Sequence, residues 1–383
     1  MTSARLRITC VISSLRAGGS ERVLAWLATA LAARGHAVSL ITAAPAAETP
    51  VHQPGAGVTV RNLGTAAASR GSLDALSHNL RHLLALRRAV RAARPDVVLA
   101  FGDRTNVRVL LALADTGIPV VVSERTNPRL FPTGRVWSLL RRFVYPRAAA
   151  VVAPNARCLE TLAAVAPARR RVVPNPVLAP PVAPVPPSAA AQDRPVIVAL
   201  GRLVDLKGFD MLIRAFAAIA DETPGWSLEI HGEGPERAAL ETLARTLGVG
   251  ERVRLPGFAR DPYAVLAGAG IFALSSRLEG SPNALADAMA SGVAVVAFDC
   301  EAGPRELIRH GEDGLLVPAG DVVALAEALR DLAYDSGLRK RLGDKAREIA
   351  RRFDPDDVAT QWESLLTEVA GASGRTSSAG VSL

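Results

Sequence analysis

The stretch PVIVALGRLVDLKGFDMLIRAFAAIA, Pro195–Ala220, decides the fold. Its first seven residues, PVIVALG, are a β-branched apolar run that reads as a strand. Its last thirteen, GFDMLIRAFAAIA, repeat apolar residues at helical spacing. The ten residues GRLVDLKGFD, Gly201–Asp210, form the turn between them. This strand, turn and helix are half of a βαβ unit, and the same succession recurs on both sides. Downstream come WSLEIHG, ERAALETLARTLG, RVRLPGF, IFALSS, NALADAMASG, AVVAFD and GLLVP. Upstream, RITCVISSL reads as a strand, SERVLAWLATALAARG as a helix closed by Gly35, and AVSLIT as a strand. LDALSHNLRHLLALRRAVRAARP reads as a helix stopped before Pro95. DVVLAFG, PVVVSE, VVAP and RVVPNPV supply further strands. Strands alternating with helices imply two doubly wound parallel sheets, an α/β chain with a cleft where the halves face each other. The expected division is 1–177 for the first domain and 178–194 for a proline-rich linker. It continues with 195–352 for the second domain, 353–371 for a last helix around Trp362, and 372–383 for a disordered tail.

The 383 residues are 49% apolar and 4% aromatic, a globular composition. Cys10, Cys158 and Cys300 have no metal-ligand spacing, which suits a reducing compartment. The N-terminal RLRITCVISSL lacks the design of a signal peptide. No uncharged apolar run approaches the roughly 20 residues a spanning helix needs. These features point to a cytoplasmic protein. The net charge of +8 is unevenly spread. Residues 1–175 carry 24 Arg, no Lys and 8 acidic residues, a net +16, while the remainder carries 21 basic and 29 acidic residues, a net −8. A basic half suits an anionic partner, although a general preference for arginine codons gives the same tally. Leu80–Arg94 and Val136–Arg147 read as basic amphipathic helices. The first carries Leu80, Leu83, Leu84 and Leu86 near one side, and the second carries Trp137, Phe143 and Tyr145. Such helices suit an anionic membrane surface on the cytoplasmic face, or else a core-facing stripe with solvated arginines. No nucleic-acid recognition motif accompanies the arginines.

Three elements carry chemistry. In SSRLEGSPNALADAMASG, Ser275–Gly292, Ser281 is placed to cap a helix whose first residue is Pro282. The N–H groups of Asn283, Ala284 and Leu285 then face a phosphate at the positive helix end. Glu279 precedes the cap. Asp287, four residues after Asn283, lies on the same face, where a carboxylate can take both hydroxyls of a ribose. The other reading is a surface helix with two solvated acids. In GRLVDLKGFD, Arg202 and Lys207 are placed to meet one anion, a diphosphate whose charge grows as it leaves; the other reading is a turn with two exposed cations. In RAGGSERV, Gly18 and Gly19 admit a close backbone approach to a ligand, with no dinucleotide or P-loop fingerprint. Asp354–Asp356 reads as a helix start, and His231 and His310 as structural or solvent-exposed residues. No metal site is expected.

Together these elements resemble the retaining GT-B glycosyltransferases of family 4. EGSPNALAD resembles that family's paired-carboxylate element, and Arg202 and Lys207 its cation pair. HGEGPE and LPGF resemble its glycine turn and nucleobase loop. AVVAFDCEAGPRELI and VVSERTNP resemble bacterial enzymes that build lipid-linked oligosaccharides and capsular or exopolysaccharides. The resemblance implies a first domain that binds the acceptor and a second that binds the nucleotide sugar, with the last helix crossing back to the first domain. It implies that Arg202, Lys207 and Glu279 are catalytic. Gly18, Gly19, Gly201, Glu233, Gly257, Phe258, Asn283, Ala284, Leu285 and Asp287 would bind the donor. The family's usual histidine is absent after the PVVVSE strand, which leaves Asp103, Glu124, Arg125 and Asn127 as acceptor-side candidates. Asp287 and Ala294 depart from the family's glutamate and proline. The implied reaction moves a hexose or N-acetylhexosamine from a nucleoside diphosphate, UDP by expectation, to a lipid-linked or glycan hydroxyl. It proceeds with retention and needs neither cofactor nor metal. A nucleotide-sugar binding protein of weak activity and a GT-B sugar-nucleotide epimerase remain as rivals.

Overall fold

The computed structural model describes residues 5–45, 47–66, 72–125, 134–160, 162, 164–178 and 195–378. Met1–Asn175 together with Asp356–Leu383 form one compact unit, and Pro176–Pro355 form another. The first unit runs β1 (Arg7–Ile12), α1 (Gly19–Ala33), β2 (Ala37–Thr42), β3 (Val58–Asn62), α2 (Ser72–Ala93), β4 (Val97–Phe101) and α3 (Asp103–Ala112). It continues with β5 (Val120–Ser123), α4 (Arg135–Val144), β6 (Ala150–Ala153), α5 (Ala156–Glu160) and β7 (Arg170–Val172). Its seven strands are parallel in the order β3-β2-β1-β4-β5-β6-β7. Strand β3, VTVRN, was not anticipated, because its largely exposed edge position needs no apolar run.

Successive residues of these strands enter opposite cores, as the period of two demands for a sheet covered on both faces. Ile8, Cys10, Ile12, Leu40, Leu99, Phe101, Val121 and Val152 join one core with α1. Val11, Ile41, Val98, Ala100, Val122 and Val151 join the other with α2 and α3.

The second unit runs β8 (Val196–Leu200), α6 (Phe209–Ile219), β9 (Ser227–His231), α7 (Arg237–Thr246), β10 (Val253–Gly257), α8 (Pro262–Ala267) and β11 (Ile271–Leu274). After these come α9 (Asn283–Ala290), β12 (Ala294–Asp299), α10 (Pro304–Leu307), β13 (Leu315–Pro318), α11 (Val322–Tyr334), α12 (Ser336–Ala346) and α13 (Ile349–Arg352). Its sheet is parallel in the order β10-β9-β8-β11-β12-β13. The parity rule recurs: Ile197, Ala199, Ile271, Ala273, Val296 and Phe298 face one core, and Val198, Phe272, Leu274, Val295 and Ala297 the other. In both units the strand order reverses between two neighbours, β1/β4 and β8/β11. Ligands of such sheets lie outside the carboxyl ends of those strands.

The last helix, α14 (Pro355–Ser378), packs from Asp356 onward in the first unit. Val358, Trp362, Leu365, Leu366 and Val369 follow helical spacing and are buried beside α1. The Trp362 ring centroid lies 5.8 Å from that of Phe101. Arg34 donates to Thr360 and to Glu363, each at 2.9 Å. The helix continues through Ser378, into the stretch 372–383 that composition marks as a disordered tail. Once several turns are anchored in a core, each further residue adds a hydrogen bond without a new nucleation cost.

Trp362 is fully buried, so Trp362→Ala should cost about 3–5 kcal/mol. Urea unfolding should show this loss in the first unit's transition alone; a loss under about 1 kcal/mol would contradict the packing described.

Candidate functional site

In the second unit the β8–α6 turn carries Gly201, Arg202 and Lys207, ending at Gly208. Gly208 has φ +60°, and a Cβ there would sit 2.1 Å from the Ser275 carbonyl oxygen. Only glycine lets this turn lie against the chain leaving β11. The contact is tied by bonds on both sides of it: Ser275 Oγ donates to the Lys207 carbonyl at 3.1 Å, and Arg277 N to the Leu206 carbonyl at 2.9 Å. Arg277 also holds both oxygens of Asp210 at 2.8 Å. Gly232, after β9, is packed as closely, since a Cβ there would meet the Gly201 carbonyl at 1.8 Å.

This packing brings Lys207 and Glu279 together. Lys207 Nζ lies 2.6 Å from Glu279 Oε1, and Ser276 Oγ donates to the same oxygen at 2.7 Å. Glu279 is 7% exposed and Asp287 3% exposed, which rules out a surface helix with two solvated acids. The Tyr263 hydroxyl is shared between Asp287 Oδ1 at 3.2 Å and the Leu178 carbonyl at 2.7 Å. Arg202 is exposed, and its guanidinium has no hydrogen-bond or ion-pair partner among the described residues, whereas Lys207 is engaged by Glu279. Burial and then the Glu279 charge push the Cys300 thiol up to about 12, so it stays neutral beside the carboxylate.

Helix α9 starts one residue later than the sequence suggests. Pro282 is its N-cap, in extended conformation, and no side chain caps it, so Ser281 does not play that part. Its first-turn N–H groups, among them those of Ala284 and Leu285, have no acceptor within the helix. The helix ends at Ala290, with Gly292 at φ +78° and Val293 N bonded to the Ala288 carbonyl at 3.1 Å. Gly257, at the end of β10, lies against Glu233, whose carboxylate is held by Arg237 at 2.7 Å. Phe258, next to it, is 49% exposed. Thus Gly201, Arg202, Lys207, Glu233, Gly257, Phe258, Glu279, the α9 first turn and Asp287 lie on the loops and helix that follow β8, β9, β10 and β11 of one sheet. His231 pairs with Glu229 at 3.1 Å, and the exposed His310 accepts from Leu316 N at 3.0 Å.

The remaining candidates belong to the first unit, again beyond strand ends. Gly18 caps α1 in extended backbone, and its N–H points to His52 at 3.5 Å. Asp103 opens α3, and its carboxylate accepts from Arg104 N at 2.5 Å. Glu124, fully buried after β5, accepts from the Tyr145 hydroxyl at 2.7 Å, and Arg141 stands 4.0 Å away. Asn106 donates to Tyr145 at 3.1 Å and to the Ser123 carbonyl at 2.9 Å. Glu124 Oε1 and Asn106 Oδ1 are buried without a partner among the described residues. Burial pushes the Glu124 carboxyl up to about 7, against the pull of Tyr145 and Arg141. Arg125 bonds Asn175, stacks 4.9 Å over Phe101, and is pulled by burial down to about 10. Asn127 lies outside the described residues. Among the described residues, no group of three His, Cys, Asp or Glu side chains is placed to hold a metal ion.

Sequence reasoning missed Ser276, Tyr263, Asn106 and Tyr145. Ser276, three residues before Glu279, was legible as a neighbour. The others arrive from separate elements.

A folded state that keeps Glu124 protonated binds a proton that the unfolded chain releases above its ordinary value near 4.5. Stability therefore falls as pH rises from about 4.5 to about 7, by ~3 kcal/mol in full. Glu124→Gln should remove that decline in pH-dependent unfolding; an unaltered slope would show that Glu124 is already ionised in the fold.

The sequence family described as Glycosyl transferase 4-like domain matches residues 18–176, and that described as Glycosyl transferases group 1 matches residues 185–349. The chain is 26% identical over 375 residues to a Campylobacter jejuni N-acetylgalactosaminyltransferase acting on an undecaprenol-diphosphate-linked glycan, covering 96% of this chain and all of that one. It is 44% identical over 174 residues to a Streptomyces coelicolor exopolysaccharide phosphotransferase, but covers only 18% of that protein. The fold is similar to that of Anabaena HepE solved with UDP and glucose, with TM-score 0.77 and 22% identity over 95% of this chain and 100% of that one. With two glycosyltransferase matches falling one on each parallel-sheet half, the chain belongs to the GT-B glycosyltransferases, related to those that build bacterial lipopolysaccharide, exopolysaccharide and lipid-linked glycans.

Proposed function

We propose that the chain moves a sugar from a UDP-sugar to a hydroxyl of a lipid-linked or polysaccharide intermediate, with retention at the anomeric carbon. The observation that carries this reading is the Lys207–Glu279 pair at the β8/β11 switch point, beside the first turn of α9. The donor diphosphate lies against Arg202, Lys207 and the N–H groups of Asn283–Leu285. Glu279 meets the sugar, Asp287 the ribose, and Gly257–Phe258 border the base, with Gly201 and Glu233 in the neighbouring turns. The UDP of the solved structure and the acceptor named for the Campylobacter relative support the two substrate classes.

In the reaction the bond from the anomeric carbon to the phosphate oxygen breaks as the acceptor oxygen bonds to the same face. The acceptor proton passes to the departing phosphate. The charge that grows on that phosphate meets donors already in position: Lys207, fixed by Glu279 and by its packed turn, Arg202, and the α9 dipole. Asp103, Glu124, Arg125 and Asn127 serve the acceptor side. The enzyme works from the inner membrane surface. Among the described residues, no helix is long and apolar enough to cross a membrane. The exposed residues Leu80 and Leu84 of α2 and Val136, Leu139 and Phe143 of α4, set among arginines, support surface binding instead. Leu86 is excluded from that surface because it is buried in the core, and Arg87 is paired with Asp115.

Arg202→Ala and Lys207→Ala should each lower kcat by roughly 100-fold, the scale for one preorganised charge contact, with chelator leaving turnover unchanged. Restoration of a chelated enzyme by Mn²⁺, or variants with wild-type kcat, would overturn the reading. Full-length protein should co-sediment with phosphatidylglycerol vesicles at low salt and leave them at high salt. Val136→Ser/Leu139→Ser/Phe143→Ser should weaken that binding at least tenfold; an unchanged partition would remove α4 from the surface.

A further inference from the structure

Asp287 is buried inside α9, and its backbone is fixed there. Its carbonyl accepts from Ser291 N at 3.0 Å and from Ser291 Oγ at 2.8 Å. The side chain keeps two torsions, and burial alone does not choose how the carboxylate is turned. The Tyr263 hydroxyl, arriving from α8, donates to Asp287 Oδ1 at 3.2 Å. Tyr263 is itself placed by its helix. Asp261 caps α8 and accepts from Tyr263 N at 3.0 Å and from Ala264 N at 3.2 Å, and Leu266 is buried in the core that α9 also enters.

The same hydroxyl donates to the Leu178 carbonyl at 2.7 Å. That carbonyl follows a tethered residue: Val177 is buried, and its N–H donates to the Phe353 carbonyl at 2.9 Å. A phenol has one proton to donate, and a backbone carbonyl and an ionised carboxylate only accept. The shorter contact therefore anchors the hydroxyl on the backbone, and the longer one sets where Oδ1 stands. A hydroxyl anchored in this way does not follow the carboxylate, so it restrains it. Hydrogen bonds weaken steeply with misalignment. A carboxylate that must meet two neighbouring hydroxyls gains from a fixed orientation, and an aspartate has less reach than a glutamate to correct an error.

We infer that Tyr263 is a positioning residue for nucleotide recognition: anchored on the Leu178 backbone, it orients the Asp287 carboxylate for the hydroxyls of the donor's ribose. The inference rests on the proposed role of Asp287 at the ribose and adds a residue that acts through it.

The test measures calorimetrically the binding of UDP and of 2′,3′-dideoxy-UDP to the full chain, to Tyr263→Phe and to Asp287→Ala. The wild type should prefer UDP on the order of tenfold or more, the scale of hydrogen bonds to a charged group. Asp287→Ala should bring that preference to about one; Asp287→Asn, closer in volume, should lower it as well and serves if Asp287→Ala does not fold. Tyr263→Phe should reduce the preference by about threefold or more through weaker UDP binding, with 2′,3′-dideoxy-UDP bound as in the wild type. A general loosening of α8 would weaken both nucleotides alike and leave the preference unchanged. That result, or wild-type affinities in Tyr263→Phe, overturns the inference while the loss of preference in Asp287→Ala upholds the ribose reading. A wild-type preference retained by the Asp287 variants, or equal binding of both nucleotides by the wild type, removes the ribose reading itself and the role of Tyr263 with it.

Discussion

The ion pair between Lys207 and Glu279 joins two loops of the second unit, and it depends on a glycine. A side chain at Gly208 would drive the β8–α6 turn off the Ser275 carbonyl and carry Lys207 away from the carboxylate. Arg277, bonded to Asp210 and to the Asp205 carbonyl, locks the same contact from the other side. The lysine is thus in place before any ligand arrives, which is what makes a cation effective against charge that appears only as a bond breaks. A salt bridge this enclosed adds little to stability, because desolvation offsets attraction. Its value lies in position.

The first unit has a different dependence. Its sheet is covered on one face by α1 and α14, and α14 comes from the far end of the sequence. Trp362 fills the space against Phe101, and Phe101 also carries the Arg125 guanidinium on its ring. A candidate acceptor residue is therefore held through an aromatic pair that residues 1–175 alone cannot complete. The opposite face bears α2, α3 and α4, where exposed apolar residues and arginines alternate. The division of labour follows the strand parity, with one core knitting the chain ends together and the other supporting a surface.

The strands and the parallel order were legible because sheets covered on both faces demand continuous apolar runs, as in VIVAL and VVLAF. The exposed edge strand β3 carries no such run and was missed. That the Lys207 turn and the two carboxylates are special was legible from residue type and spacing, and the structure buries both carboxylates and pairs Lys207 with Glu279. The fixing contacts were not: Tyr263 reaches Asp287 from α8, and Tyr145 reaches Glu124 from the turn after α4. Such partners are set by tertiary packing, and spacing does not report it. The helix cap failed for a local reason, since Pro282 in extended conformation occupies the capping position without a side-chain acceptor.

The central claim is that the donor's diphosphate sits between Lys207 and the first turn of α9. A crystal structure of the full chain with UDP tests it most directly. The account predicts phosphate oxygens within hydrogen-bond distance of Lys207 Nζ and of the Ala284 and Leu285 N–H groups. Phosphates bound elsewhere, with the Lys207–Glu279 pair left unvisited, would contradict it.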